Sequence, residues 1–536
     1  MAPGERRRAP PRAARVALLA AANLAAAALL LRALTGGPEA IGKLSSRSQS
    51  STFSTGNPDE APRARRDPAL ERDLRAIVDE ARAEAVRLAG KGFDAAAVEV
   101  SVHVRERFPG GVEVDLDAGR ALRPASNVKL VTTAAALVLL GPSWHFDTAF
   151  EAGGPLRDGV LAGDLVVRAA GDPLYDPRTA GSVAALLEPA VAALRERGVR
   201  VVAGDLVLDE GSFAEPAPGP AWPDEGQRWA EYCALAGGFS ANRGGLTATV
   251  TPGKAGEPAA VRIAPRDHGL SEELRVITAA GGALVVAMQA RGGGVLVRGT
   301  IPAGAAPFVD SFAHPDPVEL FGHALSGALA RGGVLVEGEL CRARGRPAGE
   351  VLAHLRTPLL DVLGPINTHS TNAVADQLFL ALGNAVVGEG SREGGARATR
   401  LALERLGVSA EGLEQVDGSG LSRRNRIGAR QITALLAAVL ALDETSSKAF
   451  RESLAVAGES GTLEKRMGGQ ATRGRVRGKT GFIGGTSALS GVASARDGRE
   501  WVFSILVNYP DVAGLNTRCW KPMQDRLCER LVAEIP

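Results

Sequence analysis

The feature that most constrains how this chain folds is an apolar helix with a serine and a lysine at its start. The segment begins at Pro124 and runs, rich in alanine and leucine, to Leu140, where a Gly-Pro pair ends it. Ser126 and Lys129 are three residues apart, so the pattern places both on one face of the first turn. In most sequences, a serine ahead of an apolar run is only an N-cap.

The residue at position 129 argues against a simple cap. A capping box would place Glu or Gln there, whereas Lys129 puts a positive charge where the helix dipole disfavours it by about 0.3–1 kcal/mol. Locally unfavourable choices are typical of functional sites. We therefore interpret Ser126 as a nucleophile activated by Lys129, with helix N–H groups nearby to bind an oxyanion. Ser-x-x-Lys alone is a weak signal and needs partner motifs.

The order of predicted elements indicates an α+β fold with a long insertion. Alternating strands at 97–104 and 111–117 precede Ser126, and further strands close the chain at 474–480, 486–495 and 500–508. Helices lie between them, so we expect one antiparallel sheet assembled from both ends of the chain. Residues 150–346 differ, because short strands dominate and only two helices interrupt them, at 183–197 and 317–331. We interpret this segment as a β-rich inserted accessory domain.

Composition excludes some functions and the N-terminus indicates export. The chain has 536 residues, more than one ordinary core, and its 62 basic and 60 acidic residues leave no global field to attract nucleic acid. Seven scattered histidines do not suggest a metal site. In residues 1–36, five arginines precede an apolar run, which predicts a signal peptide or, with residues 16–34 in the membrane, an uncleaved anchor. Residues 37–69 are expected to form a flexible linker.

The four cysteines are too few and dispersed for a disulfide framework. Cys519 and Cys528 either pair in an oxidising compartment or remain two buried thiols.

Two further motifs give Ser126 its context. Ser370-Thr371-Asn372 precedes a helix, and Lys479-Thr480-Gly481 lies in a strand. Taken singly, the first is explained by an N-cap and the second by a solvated lysine on an exposed edge. Ser-x-x-Lys, Ser-x-Asn and Lys-Thr-Gly in this order, on a helix, a loop and a strand, form the signature of serine penicillin-recognising enzymes.

With these motifs the chain resembles the D-alanyl-D-alanine carboxypeptidase/endopeptidase family, the class C low-molecular-mass penicillin-binding proteins. Other phrases typical of that family are Gly171-Asp172-Pro173, Asp417-Gly418-Ser419-Gly420 and Leu489-Ser490-Gly491. The resemblance covers about residue 97 to the C-terminus. It implies a penicillin-binding/β-lactamase-like transpeptidase domain from residues 70–149 and 347–536, with the accessory domain inserted at 150–346. Two positions depart from the family, Val492 and Phe482, and the ring of Phe482 is expected to narrow the cleft.

The resemblance also implies a mechanism on peptidoglycan stem peptides that end in D-Ala-D-Ala. Ser126 would attack the penultimate D-Ala carbonyl while Lys129, its pKa lowered by burial and by Lys479, takes the proton. Ser370 would relay the proton to the leaving amine, and Asn372 would hold the substrate amide. Lys479 and Thr480 would bind the terminal carboxylate, and Gly481 would let the strand approach the acyl chain.

The N–H groups of Ser126 and Phe482 would form the oxyanion hole. No metal or cofactor is required, and β-lactam antibiotics are expected to acylate Ser126. The expected location is the periplasm or the outer face of the cytoplasmic membrane, with membrane contact only through the N-terminal segment and no nucleic-acid partner. Two alternatives remain: a β-lactamase or esterase of the same superfamily, and a non-catalytic cell-wall-binding scaffold.

Overall fold

The computed structural model describes residues 64–174 and 182–533. The predicted signal or anchor, and the predicted linker up to residue 63, lie outside these residues. Within the described ranges, no helix combines the length and the apolar character needed to cross a membrane.

The folded body begins before residue 70, where the sequence analysis places its start. The first elements are β1 (Arg65–Arg66), α1 (Pro68–Ala89), β2 (Glu99–Glu106), β3 (Val112–Leu116), β4 (Ala121–Leu122) and α2 (Val128–Leu140). Asp67 caps α1 by accepting the N–H groups of Ala69 and Leu70, and β1 pairs with β3. The last residues of the predicted linker, up to residue 69, therefore belong to the folded body.

The middle of the chain is rich in short strands. Its elements are β5 (His145–Ala152), β6 (Leu156–Arg157), β7 (Val160–Leu161), β8 (Leu165–Arg168), α3 (Val183–Glu196), β9 (Val201–Val202), β10 (Leu206–Asp209), β11 (Gly245–Thr251), β12 (Ala260–Ala264), β13 (Ser271–Ala279), β14 (Val285–Arg291), β15 (Gly294–Pro302), β16 (Phe308–Ala313), α4 (Pro317–Arg331), β17 (Leu335–Val336), β18 (Leu340–Ala343) and β19 (Glu350–Pro358). The two helices predicted within this segment are confirmed as α3 and α4.

Helices return after β19 and strands close the chain. The elements are α5 (Leu359–Asn367), α6 (Asn372–Val387), α7 (Arg392–Arg405), β20 (Ile427–Gly428), α8 (Ala429–Val439), α9 (Glu444–Ser453), β21 (Ala455–Val456), β22 (Val476–Ile483), β23 (Thr486–Ser494), β24 (Glu500–Asn508) and α10 (Lys521–Val532).

A seven-stranded sheet joins the two ends of the chain, as predicted. Its strand order is β1-β3-β2-β24-β23-β22-β21, so the C-terminal strand β24 lies between β2 and β23. One face packs on α1 and α10, and the other packs on the helical layer that contains α2, α6 and α8. Val492 is buried in β23 against that helical layer. The sheet therefore holds α2, with Ser126 at its start, against β22.

The insertion builds sheets and a core of its own. A five-stranded sheet has the order β18-β10-β8-β5-β19, and one buried apolar cluster is drawn entirely from residues between Phe150 and Leu355. Strands β5 and β19 pair with each other where the chain enters and leaves the insertion. The predicted boundaries at 150 and 346 are therefore too narrow, because the sheet already begins at His145 and ends at Pro358. The described cysteines are all free, and Cys519 and Cys528 are buried thiols.

Candidate active site

The serine and the lysine of the first motif meet at the start of α2. A short helical turn, Ala125–Asn127, precedes α2 and carries Ser126. Lys129 is fully buried, and its Nζ lies 3.1 Å from Ser126 Oγ. Position 127, not 126, is the N-cap of α2, and no side chain caps it. The predicted pair is thus brought together, and Ser126 does not act as a cap.

Lys129 Nζ has two further partners, and both are oxygen acceptors. One is Asn372 Oδ1 at 2.7 Å, and the other is the carbonyl oxygen of Ser419 at 2.5 Å. Asn372 Nδ2 donates in turn to the carbonyl oxygen of Tyr232, which belongs to the insertion. The sequence predicts that Asn372 holds the substrate amide. In the structure both of its amide atoms have protein partners, so Asn372 orients the lysine, and its role in holding the substrate amide stays a prediction.

The pKa of Lys129 is lowered to about 8, and burial is the largest cause. The negative charges of Asp376, Asp417 and Glu231 oppose this shift. Burial, one of the two expected causes, is therefore the larger one. Burial first, and then repulsion from Lys129, hold the pKa of Lys479 well below its ordinary value.

The second and third motifs also meet. Lys479 Nζ donates to Ser370 Oγ at 2.8 Å and to the carbonyl oxygen of Thr480 at 2.8 Å. Ser370 has a φ of 63°, a left-handed conformation that costs free energy for a residue with a Cβ atom. This strained backbone places the Ser370 hydroxyl within hydrogen-bonding distance of Lys479 Nζ.

Strand β22 presents the Lys-Thr-Gly motif at an open edge. Within the described ranges, β21 pairs with β22 only at Arg477 and Gly478, so the outer edge has no strand partner from Lys479 onward. A Cβ at Gly481 would lie 2.7 Å from the carbonyl oxygen of Pro124. Gly481 therefore permits the strand to approach the Ser126 turn, and its expected approach to the acyl chain stays a prediction. The Phe482 ring is 57% exposed at this edge.

Asn127 is a site residue that the sequence analysis missed. Its amide nitrogen donates to the carbonyl oxygen of Lys479 at 2.8 Å, and its oxygen accepts from Ser490 Oγ at 2.6 Å. The side chain thus fastens the Ser126 turn to β22 and β23. The sequence did offer a signal for this role, because Asn127 lies between Ser126 and Lys129 and a buried amide needs a hydrogen-bond partner.

A second missed feature is the Asp417 turn, which we define as residues 417–422. Asp417 is fully buried, and its two oxygens accept four hydrogen bonds, from the N–H groups of Gly420 and Ser422, from Asn425 Nδ2 and from Trp222 Nε1. The same turn supplies the Ser419 carbonyl that receives Lys129. The phrase Asp-Gly-Ser-Gly was visible in the sequence, but its contact with Lys129 was not.

Asp376, on α6, supports the Asp417 turn from the other side. Its Oδ1 accepts the N–H groups of Gly418 and Ser419, while its Oδ2 is buried without a hydrogen-bond partner in the part of the chain that the structure describes. Burial is the main cause that raises the pKa of Asp376 to about 7. The site therefore combines two buried lysines with two buried aspartates.

The insertion closes one side of the site. A cavity of about 280 Å³ is lined by Glu231, Tyr232, Arg243, His369, Ser370, Thr371 and Asn372. Its first three residues come from the insertion and the others from the loop that leads into α6. The insertion therefore contributes to the walls beside the reacting groups.

Comparisons with known proteins agree with this geometry. The model of the D-Ala-D-Ala carboxypeptidase 3 (S13) family matches residues 94–526. A D-alanyl-D-alanine carboxypeptidase from Actinomadura sp. (strain R39) is 37% identical over 411 residues, which is 73% of this chain and 74% of the relative. The D-alanyl-D-alanine carboxypeptidase DacB of Haemophilus influenzae is 27% identical over 74% of this chain and 82% of its own.

The fold is also found among solved structures. Penicillin binding protein 4 (dacB) from Haemophilus influenzae superimposes with a TM-score of 0.69 at 21% identity, covering 84% of this chain and 98% of the other. The family match spans the chain from β2 to β24, with the insertion between them, and it includes all three motifs. The chain therefore belongs to the D-Ala-D-Ala carboxypeptidase 3 (S13) family.

Proposed function

We propose that this protein is a serine D-Ala-D-Ala carboxypeptidase that cleaves peptidoglycan stem peptides through an acyl-enzyme on Ser126. The observation that carries the proposal is the position of Lys129 Nζ, buried and 3.1 Å from Ser126 Oγ. A buried amine with a lowered pKa is the group that can take the proton of a serine near neutral pH.

The hydrogen bonds of Lys129 also fix the direction of that proton transfer. A neutral amine has two N–H donors and one lone pair. The two acceptors Asn372 Oδ1 and Ser419 O take the two donors, so the lone pair is left facing Ser126 Oγ. Ser126 then donates its proton to Nζ as its oxygen attacks the carbonyl carbon of the penultimate D-Ala, and the N–H groups of Ser126 and Phe482 stabilise the oxyanion.

Lys479 and Ser370 serve the other half of the reaction. Ser370 Oγ passes its proton to the amine of the departing D-Ala and takes one in turn from the ammonium group of Lys479, whose Nζ donates to it at 2.8 Å. The terminal carboxylate of the substrate binds near Lys479 and Thr480. The open edge of β22 accepts the extended stem peptide as an added strand, which supplies backbone hydrogen bonds without a metal or cofactor. Water then attacks the acyl group, the proton held by Lys129 returns to Ser126 Oγ, and the proton lost by water restores Lys479.

Covalent trapping combined with product analysis tests this function. The folded body, from Ala64 onward, is incubated with benzylpenicillin and followed by intact-mass spectrometry, and separately with a pentapeptide ending in D-Ala-D-Ala. We expect one stable adduct and release of D-Ala. Rapid consumption of the antibiotic without an adduct would point to a β-lactamase, and an unreactive protein with intact antibiotic would point to a cell-wall-binding scaffold.

The pH dependence of acylation follows from the lowered pKa of Lys129. The base must be neutral, so the reactive fraction rises with pH and levels off above about pH 8. Below that value, the acylation rate constant should fall up to about tenfold per pH unit. Stopped-flow measurements with a chromogenic cephalosporin from pH 6 to 9 give this rate constant. Spontaneous hydrolysis of the compound is the control. A flat profile over this range would contradict Lys129 as the base.

We further propose that the protein acts outside the cytoplasm. The arginine-rich and apolar residues 1–36 support export, and residues 16–34 are proposed as the membrane anchor. Peptidoglycan stem peptides and β-lactams are its proposed partners. Fractionation of cells that express the full chain, with and without residues 1–36, tests this location.

A further inference from the structure

A short segment of the insertion contacts the Asp417 turn, which holds Lys129 through the Ser419 carbonyl. Residues 220–222 lie against the Asp417 turn: Ser422 Oγ donates to the carbonyl oxygen of Pro220 at 2.5 Å, and Arg423 N donates to that of Ala221 at 3.3 Å. Ala221 adopts a φ of 55°, which is unfavourable for a residue with a Cβ atom. The strain indicates that the surrounding contacts hold this segment in place.

Trp222 contacts the carboxylate of the Asp417 turn itself. Its indole is buried, and Nε1 donates to Asp417 Oδ2 at 2.9 Å. The ring also packs with Cys233 of the insertion and with Leu421 of the Asp417 turn. One of the four donors to this fully buried carboxylate therefore comes from the insertion, and hydrogen bonds to a carboxylate are the strong ones.

The Asp417 turn in turn touches both reacting residues. Ser419 O accepts from Lys129 Nζ at 2.5 Å and is one of the two acceptors that direct its lone pair. Gly420, at a φ of 83°, lies so close to Ala125 that any Cβ there would overlap the carbonyl before Ser126. Any displacement of this turn therefore moves the base and the nucleophile relative to each other.

We infer that Trp222 of the insertion is a positioning residue for Lys129, acting through Asp417 and the Ser419 carbonyl. This inference rests on the proposed role of Lys129 as the base for Ser126. It makes the insertion a working part of the catalytic centre. Trp222 contributes to the rate of acylation and not to the affinity for the β-lactam or peptide.

Trp222→Phe tests the inference, because it keeps an aromatic ring and removes only the N–H. The acylation rate constant at saturating chromogenic cephalosporin should fall about tenfold, since small displacements of reacting groups cost that much. The concentration that gives half-saturation should stay within about twofold. Trp229→Phe is the matched control, because Trp229 also belongs to the insertion and is 44% exposed. It should leave both quantities unchanged.

Asn425→Ala supplies an independent perturbation of the same carboxylate, since Asn425 Nδ2 donates to Asp417 Oδ1 at 2.8 Å. If both residues act through Asp417, the double variant should lose less than the product of the two single losses. Thermal unfolding of each variant shows whether the fold is retained.

Four results would overturn the inference. They are a normal rate constant for Trp222→Phe, a change confined to half-saturation, fully multiplicative losses in the double variant, and a wild-type protein that is never acylated. Only the last would also defeat the proposed function, so the two failures are distinguishable.

Discussion

Replacing Ser126 by alanine should abolish the covalent adduct with benzylpenicillin and the release of D-Ala. Removing the attacking oxygen leaves Lys129 with no proton to accept, and loss of a nucleophile lowers turnover by a factor on the order of 10⁴ or more. The fold should be nearly unaffected, because the substitution removes a hydroxyl whose hydrogen bond to Lys129 Nζ, at 3.1 Å, is long. The net cost of losing such a bond is about 1 kcal/mol.

The measurement is intact-mass spectrometry beside thermal unfolding of the same samples. Ser126→Cys is a useful companion, since it keeps a nucleophile of similar shape at the same place and should retain an adduct. An adduct of wild-type yield on the Ser126→Ala protein would assign the nucleophile to another residue.

Replacing Gly420 by alanine should have the second largest effect. The residue has a φ of 83°, and a Cβ would come closer to the Ala125 carbonyl oxygen than the 3.0 Å that real Cβ atoms respect. The neighbouring atoms are backbone and cannot rotate away, so the Asp417 turn must shift off Ser126. We expect acylation to fall by about 100-fold or more and the free energy of unfolding to fall by several kcal/mol.

Gly407→Ala separates the effect of the left-handed backbone from the effect of the clash with Ala125. Gly407 has a φ of 66°, and a Cβ added there would point into open space, with nothing within 4 Å. This variant therefore bears only the cost of the left-handed backbone, about 1–2 kcal/mol, and should keep its acylation rate. Equal rates for the two variants would show that contact with the Ser126 turn is unimportant. The measurements are the acylation rate and the thermal unfolding of the Gly420→Ala and Gly407→Ala proteins.

The three motifs were predictable from sequence because local pattern and order along the chain carry them. Helical spacing alone places Ser126 beside Lys129, and the structure confirms the contact. The antiparallel sheet built from both chain ends was predicted from alternation in the strands, and it is confirmed in the pairing of β2 with β24.

What the sequence did not reveal depends on contacts between distant segments. Trp222 and Asp417 are far apart in the chain, and no periodicity links an indole in the insertion to a carboxylate in a turn. The low pKa of Lys129 was expected from burial and from Lys479, and burial is the largest cause. How deeply Lys129 is buried is nevertheless a property of the packed structure and not of neighbouring letters. The insertion's limits were misplaced because β5 and β19 look like ordinary strands until they pair.

Because of its strand order, the large sheet can be completed only late in synthesis. Strand β24, in the middle of the sheet, pairs Glu99 with Asn508, so the N-terminal strands wait for almost the whole chain before they gain this neighbour. Closing so long a loop is entropically costly and slows folding. The core of the insertion needs only residues between Phe150 and Leu355, so it can be complete on the nascent chain while Lys479 has yet to be made. A chain cut before Glu500 would keep all three motifs and still leave β2 and β23 without the strand that joins them.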